Sequence, residues 1–321
     1  SSLVGSEMCI RDSYNTSPTV AKDMLINMTD WSEEHYKVNA ERYLQRLILL
    51  MNKAEIPLSF QSIVKFMELD NFTLLSTQLV KEKQISKERH LENLEIAKTS
   101  GKVAENSIAR FSTIAESELG EIFSKTGIDI ATALQEKAII LFILNPLIYP
   151  ELSPAFGRLV LIDSKKAISQ RFNSRNRTFF LFDEINVYAS KTLIDLVNKS
   201  RSANVTCVLA TQSLSDLASA EDEDFTQQII ENCNNYLVLR QNSAVNSENW
   251  ANILGTRQTM EVTYQLQQKG LDTTQTGFGS ARRVREYLYH PDEIKQLQTG
   301  YGIFLSRDEY FHSKLHINKP F

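Results

Sequence analysis

Two adjacent carboxylates, Asp183 and Glu184, directly follow the bulky apolar run Phe179 to Phe182. Such a run predicts a strand buried on both faces of a parallel sheet. The acids would then emerge at the carboxyl end of the strand, where open α/β sheets bind their ligands. There one carboxylate can hold Mg²⁺ through water, and its neighbour can orient or deprotonate an attacking water. The same pattern also occurs where a core strand simply runs into a solvated turn.

A helix and a second apolar strand follow the acids. Residues 188–200 place apolar side chains at helical spacing, and residues 205–210 predict another buried strand. That strand ends in Thr211 and Gln212, which would touch both the γ-phosphate of a bound nucleotide and the attacking water. Between helix and strand, Arg201 lies on a loop that we expect near the same sheet edge. A guanidinium there can stabilise charge on a phosphoryl group in the transition state.

The segment FFLFDEINVYASKTLIDLVNKSRSANVTCVLATQSLSDL resembles the Walker B to sensor region of conjugative type IV coupling proteins, the TraD/TraG kind. Their superfamily includes the translocases FtsK and HerA. The likeness includes an Arg 18 positions after the Walker B Asp and a Gln 11 positions after that Arg, and it extends in outline over residues 31–321. It implies Asp183 on Mg²⁺, Glu184 as catalytic carboxylate, Arg201 as a finger reaching the adjacent subunit, and Thr211 and Gln212 sensing the nucleotide, with Gln212 coupling its state to DNA.

The fold class that the resemblance implies is α/β, a RecA-like parallel sheet flanked by helices and accompanied by an all-α domain. One departure from the family is clear. No G-x-x-x-x-G-K-[ST] occurs, and the nearest fragment, residues 100–103, lacks the first glycine and the hydroxyl residue. Without that phosphate-cradling loop we expect weak ATP binding by these residues alone, and an N-terminal truncation that removed the Walker A half of the sheet.

The chain changes character once along its length. Residues 1–13 resemble a translated sequencing adapter and are expected to take no part in the fold, an ordinary N-terminal tail being the alternative. A linker and an all-α domain are expected over residues 14–130. Residues 131–321 alternate strands and helices, as expected for the C-terminal part of a RecA-like domain. A buried strand is predicted over residues 138–144.

A basic segment near the C-terminus has two interpretations. Short strands are predicted over residues 261–265 and 283–289, joined by a Gly-, Thr- and Gln-rich loop over residues 269–280. The loop glycines and the following Arg282, Arg283 and Arg285 could touch a phosphate backbone. A solvated hairpin with incidental arginines explains the same residues.

Composition limits the classes of function. The 321 residues are 42% hydrophobic and carry a net charge of −4, which gives no overall attraction to DNA, so any DNA contact must use a local patch. Cys9, Cys207 and Cys233 lack paired or metal-ligand spacing, which favours a reducing compartment. The longest apolar run, residues 139–148, is shorter than the roughly 20 residues that cross a bilayer. His312 and His316 have zincin spacing without the zincin Glu, so we expect no metal beyond Mg²⁺.

Taken together, the residues and the resemblance predict an ATP- and Mg²⁺-dependent motor. As a homo-hexamer it would recruit single-stranded DNA with its relaxase and move both into a type IV secretion channel during conjugation. It would work at the cytoplasmic face of the bacterial inner membrane, held by N-terminal helices outside this sequence. The alternatives are a DNA translocase or helicase outside secretion, and a docking component that does not hydrolyse ATP.

Overall fold

A computed structural model describes residues 2–3, 17–28, 31, 33–117, 130–171, 176–269 and 272–318. The chain divides into two compact units, Ser1–Ala210 and Thr211–Phe321. The helices described in the first unit are α1 Pro18–Asn27, α2 Glu34–Lys53, α3 Phe60–Met67, α4 Leu69–Lys81, α5 Lys87–Ile96, α6 Lys102–Ala115, α7 Ile130–Gln135, α8 Leu152–Ser169 and α9 Lys191–Ser200. Its strands are β1 Ser2–Leu3, β2 Ile139–Ile140, β3 Thr178–Phe182 and β4 Val205–Leu209.

The first helices pack around α2. Tyr43 is fully buried, donates a hydrogen bond to the carbonyl of Met67 at 2.8 Å and stacks on Phe72 with ring centroids 4.8 Å apart. The helices predicted for this segment are present between Glu34 and Ala115, while residues 118–129 lie outside the described part of the chain. Helix α1, by contrast, lies where a linker is expected; it forms because Pro18 suits a first helical turn and Leu25 reaches the core.

The glycine–lysine fragment at residues 100–103 is helical, as the sequence predicts. A π-helical turn, Ala97–Gly101, leads directly into α6, and Ser100 is fully buried. A Cβ on Gly101 would lie 2.2 Å from Leu69 Cδ2. This backbone is packed against a neighbouring helix and does not form a phosphate-binding loop.

Strands β3 and β4 run parallel, with Thr178 opposite Val205 and Phe182 opposite Leu209. A 3₁₀ turn, Ile185–Tyr188, and α9 connect them, which confirms the predicted strand–helix–strand order. The expectation of burial on both faces is wrong. Phe179 and Leu181 are 60% and 74% exposed. Successive side chains alternate between faces, and in the described residues helix α9 packs on β4 while these side chains stay open to solvent.

The predicted buried strand over residues 138–144 is also wrong. Only Ile139–Ile140 are extended in a ladder, and Ile139 and Ile143 are 73% and 74% exposed. The partner of β2 is β1, which pairs in parallel with it over two residues. Ser2–Leu3 thus takes part in the fold, against expectation, while the rest of the adapter-like segment lies outside the described residues.

The second unit contains α10 Leu214–Ala220, α11 Glu223–Asn232, β5 Asn235–Val238, α12 Ala244–Leu254, β6 Thr256–Lys269, β7 Asp272–Tyr287, α13 Pro291–Lys295, β8 Tyr301–Ser306 and β9 Phe311–His316. Strands β5, β8 and β9 form an antiparallel sheet in that order. Its core includes Val238, Ala251 and Ile303. Gly255, at φ 101°, ends α12 as the sequence predicts.

Strands β6 and β7 form a long antiparallel hairpin. The expected loop over residues 269–280 is mostly strand, so that prediction is wrong. Its glycines are disfavoured in strands, but its threonines favour them, and pairing across the ladder decides the conformation. Residues 270–271 lie outside the described part of the chain. In the described residues, no helix has the length and apolar character needed to cross a membrane.

Candidate active site

The chain turns sharply at Asp183 and Glu184, directly after β3. The Ala210 amide donates to the carbonyl of Phe182 at 2.8 Å, and the Ile185 amide donates to the carbonyl of Ala210 at 3.0 Å. Between these bonds Glu184 takes a left-handed conformation, φ 48° and ψ 50°. Asp183 Oδ1 accepts a hydrogen bond from the Glu184 amide at 3.0 Å. Both acidic residues are exposed, so the predicted emergence of the acids at the carboxyl end of the strand is confirmed.

The buried side chain of Tyr188 stabilises this turn. Its hydroxyl donates to the backbone carbonyl of Asp183 at 2.7 Å. Burial raises the pKa of Tyr188 to about 12, and the nearby Asp183 and Glu184 carboxylates add to the shift. Helix α8 packs closely against Tyr188. A Cβ on Gly157 would lie 2.7 Å from both Cβ and Cγ of Tyr188, so only glycine leaves enough room.

Sequence reasoning missed this role of Tyr188, since helical spacing assigned the residue to an apolar helix face. It also missed two polar atoms on the same segment. Asn186 Oδ1 and Ser190 Oγ are buried and have no hydrogen-bond partner in the described part of the chain. Unpaired buried polar groups are uncommon in folded proteins. The only sequence signal was their position within seven residues of Asp183.

Arg201 lies at the opposite end of the strands from the acids. It opens a short 3₁₀ turn, Arg201–Ala203, and Asn204 then accepts a hydrogen bond from the Thr178 amide at 3.2 Å. Since Thr178 begins β3 and Asp183 follows its end, the length of the strand, about 13 Å, separates the two positions. The expectation that Arg201 lies near the same sheet edge is therefore wrong. A crossover helix between parallel strands must return the chain to the starting edge.

Thr211 and Gln212 are the first two residues of the second unit and follow Ala210 directly in the chain. Thr211 Oγ1 donates to the carbonyl of Ser213 at 3.2 Å, and Ser213 caps α10 by accepting from the Asp216 amide at 3.0 Å. The Gln212 side chain is exposed. Their sensing roles stay predictions.

The acidic turn fits one kind of metal ion. The described residues contain no cluster of three or more His, Cys, Asp or Glu side chains that could enclose a metal. Mg²⁺ does not need such a cluster, because it keeps several waters and is held by one or two carboxylates with substrate phosphates. Asp183 is exposed, and its Oδ2 has no partner in the part of the chain that the structure describes, which suits that mode of binding.

Comparison with known proteins agrees with this fold. The structure of the bacterial conjugative coupling protein TrwBdeltaN70, unbound monoclinic form, superposes with a TM-score of 0.68 over 98% of this chain and 70% of that chain, at 13% identity. The plasmid coupling protein TrwB in complex with ADP and Mg²⁺ gives 0.66 over the same shares, at 14% identity. At identities this low, the superpositions establish similarity of fold alone.

Sequence comparison adds two findings. Residues 177–299 match the family described as the TraM recognition site of TraD and TraG. Over 100 residues the chain is 30% identical to an uncharacterised protein of Mycoplasma pneumoniae (strain ATCC 29342 / M129 / Subtype 1), which covers 31% of this chain and 67% of that protein.

The parallel strands, the acidic turn and the surrounding helices form an α/β fold similar to that of the coupling protein TrwB. The matched residues include that turn and the strand that follows it. Over these residues the chain is similar to the TraD/TraG-like conjugative coupling proteins.

Proposed function

We propose that this protein is an ATP-driven coupling motor that recruits single-stranded DNA with its relaxase and moves both into a type IV secretion channel during conjugation. The observation that carries the proposal is the acidic turn, which exposes Asp183 and Glu184 at the end of a parallel strand. The family match over residues 177–299 supports it.

In this proposal Asp183 holds Mg²⁺ through its free carboxylate oxygen, and Glu184 orients and deprotonates the attacking water. The bound magnesium nucleotide supplies the electrophilic phosphoryl group. The hydrogen-bonded turn at Glu184 holds the backbone of both acids in place before nucleotide arrives, which lowers the cost of organising the site. The TrwB structure with ADP and Mg²⁺ supports this choice of cofactors. ATP is the substrate.

Arg201 serves a neighbouring subunit in this account. Its position at the amino end of β4 keeps it away from the acids of its own chain. An arginine that stabilises transferred phosphate from such a position has to act in trans, as arginine fingers do. A closed homo-hexameric ring would bring each Arg201 to the next subunit's nucleotide. Thr211 and Gln212, which follow the carboxyl end of β4, would instead sense the nucleotide of their own subunit.

The partners follow from the family. The family matched by residues 177–299 is described as a TraM recognition site, so we propose that this region meets the corresponding protein of the relaxase–DNA complex. Channel proteins of the secretion system would take over the DNA, which places the motor at the cytoplasmic face of the inner membrane.

Plasmid transfer between donor and recipient cells tests the proposal. Deleting the gene should abolish transfer, the complete wild-type gene should restore it, and a Glu184→Gln gene should not. Transfer that the Glu184→Gln gene restores would indicate a docking component that does not need hydrolysis. Transfer that persists after deletion would indicate a translocase outside secretion. Either of these results overturns the proposal.

A further inference from the structure

Charge is divided between the two faces of the β6–β7 hairpin. On one face Arg257 lies opposite Glu286 and Glu261 lies opposite Arg282. Arg282 Nε and Nη2 each lie 2.8 Å from Glu261 Oε2. Each charged cross-strand pair on this face combines an acid with a base, so the face is close to electrically neutral.

The other face is basic. Arg283 lies opposite Met260, and Arg285 lies opposite Gln258. No acid occupies a described position of this face, and neither arginine makes an ion pair or hydrogen bond within the described part of the chain. Both arginines are exposed, so their guanidinium donors are available to a ligand.

The spacing of these arginines suits a repeating anion. Alternate residues of one strand point to the same side, about 7 Å apart. Successive phosphates of an extended single strand have a comparable separation. Guanidinium groups bind phosphate oxygens in a bidentate manner. Two neighbouring arginines can therefore hold neighbouring phosphates.

Exposed apolar side chains lie across the ladder from Arg283 and beside it. Met260 is 63% exposed and Val262, the next residue on that face, is 48% exposed. Single-stranded nucleic acid presents bases as well as phosphates, and proteins that bind it combine a basic track with apolar surfaces for the bases. An acidic peptide would satisfy the arginines but gives no reason for the apolar side chains beside them.

We propose that this arginine face, formed by Gln258, Met260, Val262, Arg283 and Arg285, binds single-stranded DNA through its sugar–phosphate backbone. The proposal rests on the proposed function, because it takes the transported DNA as the ligand. A chain with a net charge of −4 has no overall attraction to DNA and needs a local basic patch to bind it, and the arginine face would be that patch.

Fluorescence anisotropy with a labelled oligothymidylate and the full 321-residue chain tests the assignment. Replacing Arg283 and Arg285 by Ala should weaken binding by about tenfold or more and reduce the salt dependence by about two phosphate contacts. The matched control replaces Arg257 and Arg282 by Ala, which removes the same charge from the neutral face. The control should bind within about threefold of wild type.

Equal weakening by both double variants would overturn the proposal, since net charge alone would then explain binding. Unchanged binding by the Arg283/Arg285 variant would overturn it too. Binding of polyglutamate, with the same dependence on Arg283 and Arg285 and without oligothymidylate binding, would assign the face to a protein partner instead. All four positions are exposed, and circular dichroism checks that each variant keeps its fold.

This test separates the inference from the proposed function. If both double variants bind DNA equally while plasmid transfer still requires Glu184, the motor stands and the arginine face is wrong. If the Arg283/Arg285 variant alone loses DNA while transfer continues without the gene, the face stands and the coupling function is wrong.

Discussion

Glu184 holds a left-handed backbone conformation that costs an L-residue about 1 kcal/mol or more. Hydrogen bonds to Ala210, Asp183 and Tyr188 surround the turn and keep it in place. The sequence predicted that the acids emerge at the end of the strand, because composition alone marks the apolar run and the carboxylates. It did not predict the strain or the hydroxyl behind the turn, since both depend on how α8 and β4 pack around it.

The Tyr188 hydroxyl makes a testable contribution to alkaline stability. Its pKa is about 12 in the folded protein, against 10.0 for a tyrosine exposed to water. The unfolded tyrosine therefore ionises first as pH rises, and the free energy of unfolding falls between about pH 10 and 12. Below pH 10 this contribution is fully present.

Tyr188→Phe should remove that part of the alkaline loss, by up to about 2 kcal/mol near pH 12. At neutral pH it should cost about 1 kcal/mol, because the hydrogen bond to Asp183 is lost. Urea unfolding of both proteins from pH 8 to 12 measures the difference. A constant difference across this range would show that Tyr188 does not titrate as the structure indicates.

At the scale of elements, the parallel β3–α9–β4 unit was predictable because two apolar strands flank a helix with clear periodicity. The exposure of Phe179 and Leu181 was not, since it depends on which faces other elements cover. The length of strands β6 and β7 was underestimated for a related reason. Its ladder joins residues that local composition assigns to a loop.

Helix α8 should depend on Gly157 for its approach to the acidic turn. Ala at an ordinary helix position gains about 1 kcal/mol over Gly. Here the added methyl would overlap Tyr188 Cβ and Cγ, so Gly157→Ala should destabilise the fold by about 1–3 kcal/mol. Thermal unfolding measures the change.

Gly101→Ala is the matched control, because its methyl would meet only the flexible end of Leu69 at short range. Rotation of that side chain can relieve the overlap, and the helix gains from Ala, so we expect a smaller loss than at Gly157. A larger loss at Gly101 would show that the contact between α8 and Tyr188 is less restrictive than the distances indicate.

At the scale of the whole molecule, the position of Arg201 has the largest consequence. The strand register places it at the amino end of the sheet, so a single chain cannot bring it to its own acids. The resemblance implied a finger acting between subunits, and the geometry excludes the simpler arrangement within one subunit. Under the proposed function, hydrolysis would therefore require an oligomer.

Mixing two inactive variants tests the trans arrangement. Arg201→Ala subunits keep their acids, and Glu184→Gln subunits keep their arginine. Mixed rings would therefore contain some interfaces with both groups intact, and ATP hydrolysis should partly recover. The proteins are expressed from the complete gene, so the result does not depend on where the present sequence begins. Absence of recovery at every mixing ratio would exclude a finger acting between subunits.

The most direct test of the account is the ATP hydrolysis rate of the protein expressed from its complete gene, compared between wild type and Glu184→Gln. We expect Glu184→Gln to lower the rate by about 10²-fold or more while nucleotide affinity stays within about threefold, because the carboxylate acts on water and its replacement leaves the binding contacts in place. Hydrolysis at the wild-type rate would remove Glu184 from catalysis and contradict the assignment of the acidic turn as the active site.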